Sequence, residues 1–316
     1  MMNFSIIIPA FKKTFLDEAI QSVCTQTYQD WELIVVDDCS PENLYDIVEP
    51  YLRDQRIRYY RNEKNCGAVD VVDNWNICFS YCKGDYVICM GDDDRLLPCC
   101  LAEYKTLIEK YPGLNVYHAR TEIINEEGKV VDHQEERPEW ESVLSLVWNR
   151  WASRNKQYIG DFCYNAQFLK GVGGYYKLPL AWGSDDVTAA MAAKEGGIAN
   201  TKTCGFQYRE NSQTITSSSK NARLKLDATL EQYEWFGNLL TELSQTGLTD
   251  EDTRFLNTIQ IPRKDYYYKS IGKNCTDYIR GNPSRLLECY RLLKPMCFSV
   301  RAFLKWYISS IYHLFI

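Results

Sequence analysis

The sequence predicts an α/β protein, a parallel sheet covered by helices, with an all-helical C-terminal extension. Through the first hundred residues, apolar runs that read as buried strands alternate with segments of helical periodicity, joined by short connections. One such run closes on Met90-Gly91-Asp92-Asp93-Asp94, three carboxylates in a row at the carboxyl end of a strand, which repel one another unless something compensates. From residue 222 onward the patterns are helical.

Phe4-Ser5-Ile6-Ile7-Ile8 reads as a buried strand stopped by Pro9. Residues 16–27 form a helix, because Leu16, Ala19, Ile20, Val23 and Cys24 recur at helical spacing. A second strand over 31–36 ends at Asp37-Asp38-Cys39-Ser40, and a helix follows over 44–52. A strand at 57–60, a helix at 71–81 and a strand at 86–90 complete the alternation. In open α/β sheets ligands bind outside the carboxyl ends of the strands, so Pro9-Ala10-Phe11, Asp37-Asp38 and Asp92-Asp93-Asp94 are expected to converge on one site. The alternative for each acidic pair is a solvated turn.

After a helix over 101–111 the character changes. Residues 116–124 and 129–133, joined by Asn125-Glu126-Glu127-Gly128, read as a β-hairpin. A helix is expected over 143–151, a tight turn at Gly171-Val172-Gly173-Gly174, and a helix over 186–194 that stops before Gly196-Gly197. Residues 216–221 read as a polar linker, and 222–316 as helices broken near Gly247, Gly272, Gly281-Asn282-Pro283 and Pro295. The domain boundary is therefore placed at 220, with residues 1–220 as the α/β domain and 221–316 as the helical extension.

The chain has 316 residues, 45% hydrophobic and 25% charged, which suffices for a sizeable core. A net charge of -6 argues against nucleic acid as partner. The 13 cysteines lack both zinc-ligand spacing and a secretory leader, so they are expected to be reduced thiols in a cytosolic protein. With His118, His133 and His313 alone, a histidine-based catalytic dyad has little support. The glycines at 171–174 do not fit the dinucleotide-binding spacing.

Taken together, Ile6-Ile7-Ile8-Pro9-Ala10-Phe11, Val35-Val36-Asp37-Asp38-Cys39-Ser40, Asn74-Trp75-Asn76, Lys83-Gly84-Asp85-Tyr86 and Gly91-Asp92-Asp93-Asp94 with Leu97-Pro98 resemble the family 2 glycosyltransferases of GT-A fold. The resemblance spans residues 3–215 and rests on the order and spacing of all these blocks. It implies a Rossmann-like mixed sheet flanked by helices, a nucleotide-sugar donor, a UDP-sugar in the first place, a divalent metal (Mg²⁺ or Mn²⁺) and inversion at the anomeric carbon. Position by position, Pro9, Ala10, Phe11 and Asn74 fall in the donor site, and Asp38 takes a base N–H of the uracil. Asp93 binds the metal, while Asp92 holds the ribose or supports the metal, and Asp94 orients the sugar. The family's Asp-x-Asp stands here as Gly91-Asp92-Asp93, so its first aspartate is missing. The segment from Tyr208-Arg209 to Ser219-Lys220 resembles the one that closes over the donor, with Arg209 and Lys220 meeting the diphosphate. Its alternative is a polar linker.

These roles agree with the chemistry. A departing nucleoside diphosphate gains negative charge that a hard cation neutralises, and such cations need one or two protein carboxylates because phosphate and water complete the shell. The acceptor hydroxyl needs a general base. In Trp182-Gly183-Ser184-Asp185-Asp186 the resemblance puts that base on Asp185, with Asp186 as competitor; otherwise Ser184 or Asp185 caps a helix starting near Val187.

Residues 296–316 are aromatic and apolar with Arg301 and Lys305 on one face. They are too short and too charged to span a bilayer. They read as a helix at the cytoplasmic surface of a membrane, or one packed on the protein or a second subunit. The expected acceptor is a glycan or a lipid-linked glycan. Two rival functions are a sugar-phosphate nucleotidyltransferase, for which the glycine-rich loop is missing after the first strand, and a non-catalytic nucleotide-sugar-binding protein.

Overall fold

The computed structural model describes residues 2–211, 221–280, 282–296 and 298–312. The chain divides into two compact units, one of Met1–Lys177 with Ser184–Ser212 and one of Leu178–Gly183 with Gln213–Ile316. The short segment 178–183 thus belongs with the helical unit although it lies far upstream of residue 220.

The first unit opens with β1 (Phe4–Ala10), α1 (Leu16–Cys24), β2 (Trp31–Asp37), α2 (Tyr45–Val48), β3 (Ile57–Arg61), α3 (Val71–Ser80) and β4 (Tyr86–Cys89). It continues with β5 (Arg95–Leu96), α4 (Cys100–Lys110), β6 (Val116–Ile124), β7 (Val130–His133), β8 (Trp140–Glu141), α5 (Val143–Trp151), β9 (Phe162–Asn165), α6 (Ala166–Val172), α7 (Ser184–Ala193) and β10 (Ile198–Arg209). The strands form one sheet in the order β3-β2-β1-β4-β9-β6-β10-β5, with β7 on β6 and β8 on β10. β1 pairs in parallel with β2 on one side and β4 on the other, so the strand order reverses at β1. That switch opens a crevice at the carboxyl ends of β1 and β4.

The N-terminal half matches the expected parallel sheet because its strands are buried on both faces and read as unbroken apolar runs. Ile6, Ile8, Leu33, Val35 and Ile88 pack there with Leu16, Ile20 and Val23 of α1 and Leu101 and Tyr104 of α4. Each such side chain contributes roughly 1.5–3 kcal/mol by leaving water. The expected helix over 44–52 shortens to α2 and one 3-10 turn, since Pro50 has no N–H to continue an α-helix.

The second half makes the sheet mixed, as the family resemblance implies. β9 runs antiparallel to both β4 and β6, and β10 runs parallel to β6 and antiparallel to β5. The sequence pattern assigns no strand to either segment. β9 has four residues, too few to establish a period. β10 carries Asn200, Thr201, Lys202 and Thr203, and its pairing with β6 shifts register between Asn200 and Phe206. The hairpin of β6 and β7 forms as expected, with Lys129 N–H donating to Asn125 Oδ1 across the turn. Of the expected turn, Gly171 and Val172 form the end of α6, and Gly173 caps that helix with φ 88°.

The second unit holds α8 (Ala222–Leu243), α9 (Asp250–Thr258), α10 (Gln260–Ile279), α11 (Arg285–Leu292) and α12 (Val300–Tyr312). α10 packs on α8, α9, α11 and α12. Gly272 does not break a helix as expected. It lies inside α10, where an added Cβ would stand 2.5 Å from the Trp306 Nε1, so the missing side chain lets α12 approach. The polar linker at 216–221 lies, except for Asn221 at the start of α8, outside the described residues.

Candidate active site

The carboxyl ends of β1, β2 and β4 meet as the strand pattern predicts. Asp38 N–H donates to Ala10 O at 2.8 Å, and Asn62 N–H to Asp37 O at 2.8 Å, which knits the loops after β1, β2 and β3 together. Neither aspartate of the pair is a solvated turn. Asp37 is fully buried and accepts from Tyr59 Oη and Ser40 N–H, each at 2.7 Å, and from Arg61. It anchors the loop. Asp38 is buried at the mouth, where its Oδ1 accepts from Asn62 Nδ2 (2.8 Å) and Cys66 N–H (2.9 Å). Asn74, on α3, accepts from the same Asn62 amide at 3.0 Å, so Asp38, Asn62 and Asn74 form one polar cluster. Its neighbour Asn76 receives Tyr175 N–H at 2.8 Å and thereby fixes the loop after α6. Ala10 is buried, Pro9 half-buried and Phe11 40% exposed, so Phe11 offers its ring at the crevice.

The acidic turn after β4 folds over Gly91. A Cβ there would lie 2.9 Å from both Asp93 Oδ1 and Asp94 Oδ2, which shows how closely the carboxylates gather. Asp92 Oδ2 accepts from Phe11 N–H and Lys12 N–H, both at 2.7 Å, and so ties this turn to the loop after β1 across the switch point. Burial and the charge of Asp93 push the Asp92 carboxyl up to about 6 despite those two N–H groups. Asp93 Oδ2 accepts from Asn211 Nδ2 at 2.6 Å. Asp94 turns inward, 4% exposed, and its Oδ1 accepts Arg209 N–H at 2.9 Å. Burial and Asp93 raise its carboxyl well above the usual range.

Arg209 stands elsewhere than expected. It is the last residue of β10, and its guanidinium is enclosed. It donates to Asp93 O, Asn125 O and Glu126 O, pairs with Glu18 at 2.7 Å and stacks over Phe15. These contacts hold the acidic turn from behind and commit the side chain to the protein rather than to a diphosphate. Lys220 lies outside the described residues.

The helix carrying the second acidic run starts earlier than the pattern suggests. α7 begins at Ser184, so Asp185 and Asp186 occupy its first turn, where exposed N–H groups favour negative charge. Asp186 is buried and pairs with Arg150 Nε at 2.8 Å. Asp185 is half-buried, and its Oδ1 accepts Asp186 N–H at 2.9 Å. Burial and the adjacent Asp186 push its carboxyl up to about 7, with Arg150 opposing.

Between the two acidic runs lies Tyr208, stacked on Tyr158 at 3.9 Å. Burial, Asp94, Asp93, Glu210 and Asp185 together hold its hydroxyl above the usual phenol range, so it is within electrostatic reach of both runs. Arg150 and Tyr158 went unnoticed in the sequence, whereas Tyr208 and Asn211 fall in the segment from Tyr208 to Lys220 without having been given a role of their own. Their signal is tertiary, since Arg150 sits thirty-six residues from the carboxylate it pairs with.

Asp92 and Asp93 offer oxygen donors only, the kind a hard divalent cation takes, and among the described residues no cluster of three or more His, Cys, Asp or Glu is placed to hold a metal by protein groups alone. His118, by contrast, is buried beside Asp161 and does not join this site.

The chain matches the family model "Glycosyl transferase family 2" over residues 5–169, a little over half its length, and it belongs to that family. An uncharacterised glycosyltransferase of Haemophilus influenzae is 33% identical over 125 residues, 39% of this chain and 40% of the relative. The GalNAc(5)-diNAcBac-PP-undecaprenol beta-1,3-glucosyltransferase of Campylobacter jejuni is 32% identical over 112 residues, 35% of each protein. The matched region thus spans two fifths or less of these curated relatives. In fold, the chain is similar to TarS residues 1–349 of S. aureus, solved in complex with UDP-GlcNAc, with a TM-score of 0.65 at 16% identity, covering 99% of this chain and 91% of that one. The fold is the GT-A fold, a mixed sheet flanked by helices with a helical C-terminal region.

Proposed function

We propose that this family 2 member is an inverting glycosyltransferase that moves a sugar from a UDP-sugar to a hydroxyl of a glycan or lipid-linked acceptor, with Mg²⁺ or Mn²⁺. The observation that carries the reading is the meeting of the Asp38 cluster and the Asp92–Asp94 turn at the carboxyl ends of β2 and β4. It is joined by an aspartate on α7 whose carboxyl is raised to about 7 and which, like Asp93 and Asp94, acts on the Tyr208 hydroxyl. The family, the nucleotide sugar held by TarS and the lipid-linked substrate in the Campylobacter relative's name support it. Residues 1–220 are read as the catalytic domain and 221–316 as its helical extension.

In this reading Pro9, Ala10 and Phe11 line the nucleoside pocket with Asn74 and Asp38, whose Oδ2 takes the uracil N–H. Asp93 holds the cation, with Asp92 beside it or on the ribose, and Asp94 fixes the turn that faces the sugar. The cation, when bound, supplies positive charge against the charge growing on the leaving diphosphate. Asp185 accepts the acceptor's hydroxyl proton. The acceptor oxygen bonds to the anomeric carbon as its bond to the diphosphate breaks, from the opposite face, so the configuration inverts. A carboxyl near 7 is a stronger proton acceptor than an ordinary one and is still ionised in good part at neutral pH. Asp186, held by Arg150, keeps Asp185 in place and raises its basicity.

The test is a panel of nucleotide sugars incubated with the chain, with and without Mn²⁺, followed by measurement of free nucleoside diphosphate. Cation-dependent release of UDP from one UDP-sugar is expected. Tight binding of a UDP-sugar with no release, with or without glycan acceptors, would leave a binding protein instead.

A further inference from the structure

α10 and α12 pack side by side in the helical unit and leave a groove of about 420 Å³. Four basic side chains line it, Lys269 and Lys273 from α10, Arg280 just past its end and Lys305 from α12, together with Ser309 and with Thr276, whose hydroxyl donates to Gly272 O at 2.8 Å. The one acidic lining residue, Asp277, is paired with Arg280 at 3.1 Å. Among the described residues no carboxylate pairs with Lys269, Lys273 or Lys305. The indole of Trp306 lies flush on Gly272 at the base of the groove.

α12 is anchored by its inner face, where Phe303 and Trp306 are buried and meet edge to face with ring centroids 5.1 Å apart, and Tyr268 of α10 meets Trp306 at 5.3 Å. Its outer face is apolar. Val300, Leu304 and Ile308, one turn apart, are 59%, 49% and 54% exposed. Arg301 and Lys305 follow on the next row, between this stripe and the groove. Five of the six charged residues from 285 to 312 are basic, in a chain whose net charge is -6. No helix among the described residues is long and apolar enough to cross a membrane.

We infer that this face binds the surface of an anionic phospholipid bilayer. The lipid phosphate sits in the groove under Lys269, Lys273 and Lys305, and Val300, Leu304 and Ile308 enter the acyl boundary. A phosphate has the charge and the acceptor oxygens to which the ammonium groups of Lys269, Lys273 and Lys305 can donate. An apolar ridge bordered by basic residues is the arrangement that lies in a bilayer interface, and net repulsion between two such faces disfavours a second copy as the occupant. The binding needs neither donor nor cation, so it stands or falls apart from the transfer reaction.

The test is co-sedimentation of the full chain with vesicles of phosphatidylcholine alone and of phosphatidylcholine mixed with phosphatidylglycerol, at low and high salt. Binding is expected to the mixed vesicles only and to weaken with salt. Lys269→Glu with Lys273→Glu should lower it by at least about tenfold. Leu304→Ser, at an exposed position, should lower it about threefold or more without changing the salt dependence. Sedimentation that persists in both variants would overturn the proposal, as would its absence with the intact chain. A dimer in lipid-free solution that Leu304→Ser dissociates would assign the face to a second copy and overturn it too.

Discussion

The two acidic runs of the α/β unit, Asp92-Asp93-Asp94 after β4 and Asp185-Asp186 at the start of α7, are built alike and finished differently. Each encloses one aspartate completely. Asp94 is buried on the backbone N–H of Arg209, and Asp186 on the guanidinium of Arg150. Each leaves another closer to the crevice, Asp93 against Asn211 and Asp185 on its neighbour's N–H. In the first run a fixed N–H stands on the enclosed carboxylate, and three carboxylates crowd one turn. In the second a full positive charge stands on the enclosed carboxylate, and Asp186, with Asp161 less strongly, presses on Asp185. Burial and crowding hold the Asp94 carboxyl well above its ordinary range, whereas Arg150 opposes the rise at Asp185, which stops at about 7. A carboxylate's acidity is thus set by its burial and by what its neighbour is paired with.

That contrast can be broken. Asp185→Asn should keep donor binding and lose transfer by roughly two to four orders of magnitude, whereas Asp186→Asn should lose less. Steady-state rates with donor affinities decide it, and the reverse ranking would move the proton acceptor to Asp186. In the first run Asp93→Ala should weaken cation-dependent UDP binding by about tenfold or more at unchanged stability. Asp94→Ala should instead destabilise the fold by about 1–3 kcal/mol, since it strands the buried N–H of Arg209. Calorimetric titration of UDP with and without Mn²⁺, beside urea melts, separates the two. Equal effects of both variants on binding would erase the distinction between exposed and enclosed partners.

Arg150→Met sharpens the second run. Arg150 holds the Asp185 carboxyl down against burial and Asp186, so its loss should move the acid limb of kcat/KM to higher pH by about one unit. An unmoved limb would mean that another group carries the proton. The smallest effect is thermal. The folded Asp185 carboxyl stands near 7, above its value of 3.8 in the unfolded chain, so the folded state binds the proton more tightly. Ionising it therefore costs stability, increasingly as pH rises from about 4 to about 7, and fully above that. Asp185→Asn should raise Tm by about 2–4 °C at pH 8 and by less at pH 4.5. A Tm lowered at pH 8 would show that the ionised carboxylate is stabilising where it stands.

Much of the site was legible in the chain because strand ends announce themselves. Ile6 to Ile8 and Leu33 to Val36 are apolar runs, and both-sided burial forces that composition; the second stops at Asp37-Asp38, whereas β1 runs on through Pro9, expected to stop it, to Ala10. The hairpin turn at 125–128 was equally plain. Illegible were β10, whose polar residues and register shift hide a central strand, and Arg209, whose place at that strand's end decides that it braces the turn from within. A charged residue before a polar stretch reads as a ligand contact until its burial is known.

By itself the sequence determined the alternation of strand and helix, the parallel first half of the sheet and the carboxylates at its strand ends. These follow from local period and composition, which a single chain carries in full. The tertiary structure alone decided which segments, β9 and β10, make the sheet mixed, the reversal of strand order at β1, the pairing of Arg150 with Asp186, the stacking of Tyr158 on Tyr208 and the basic groove against α12. Each depends on residues far apart in sequence, and the energy of a buried charge depends on every group that folding brings within a few ångströms of it.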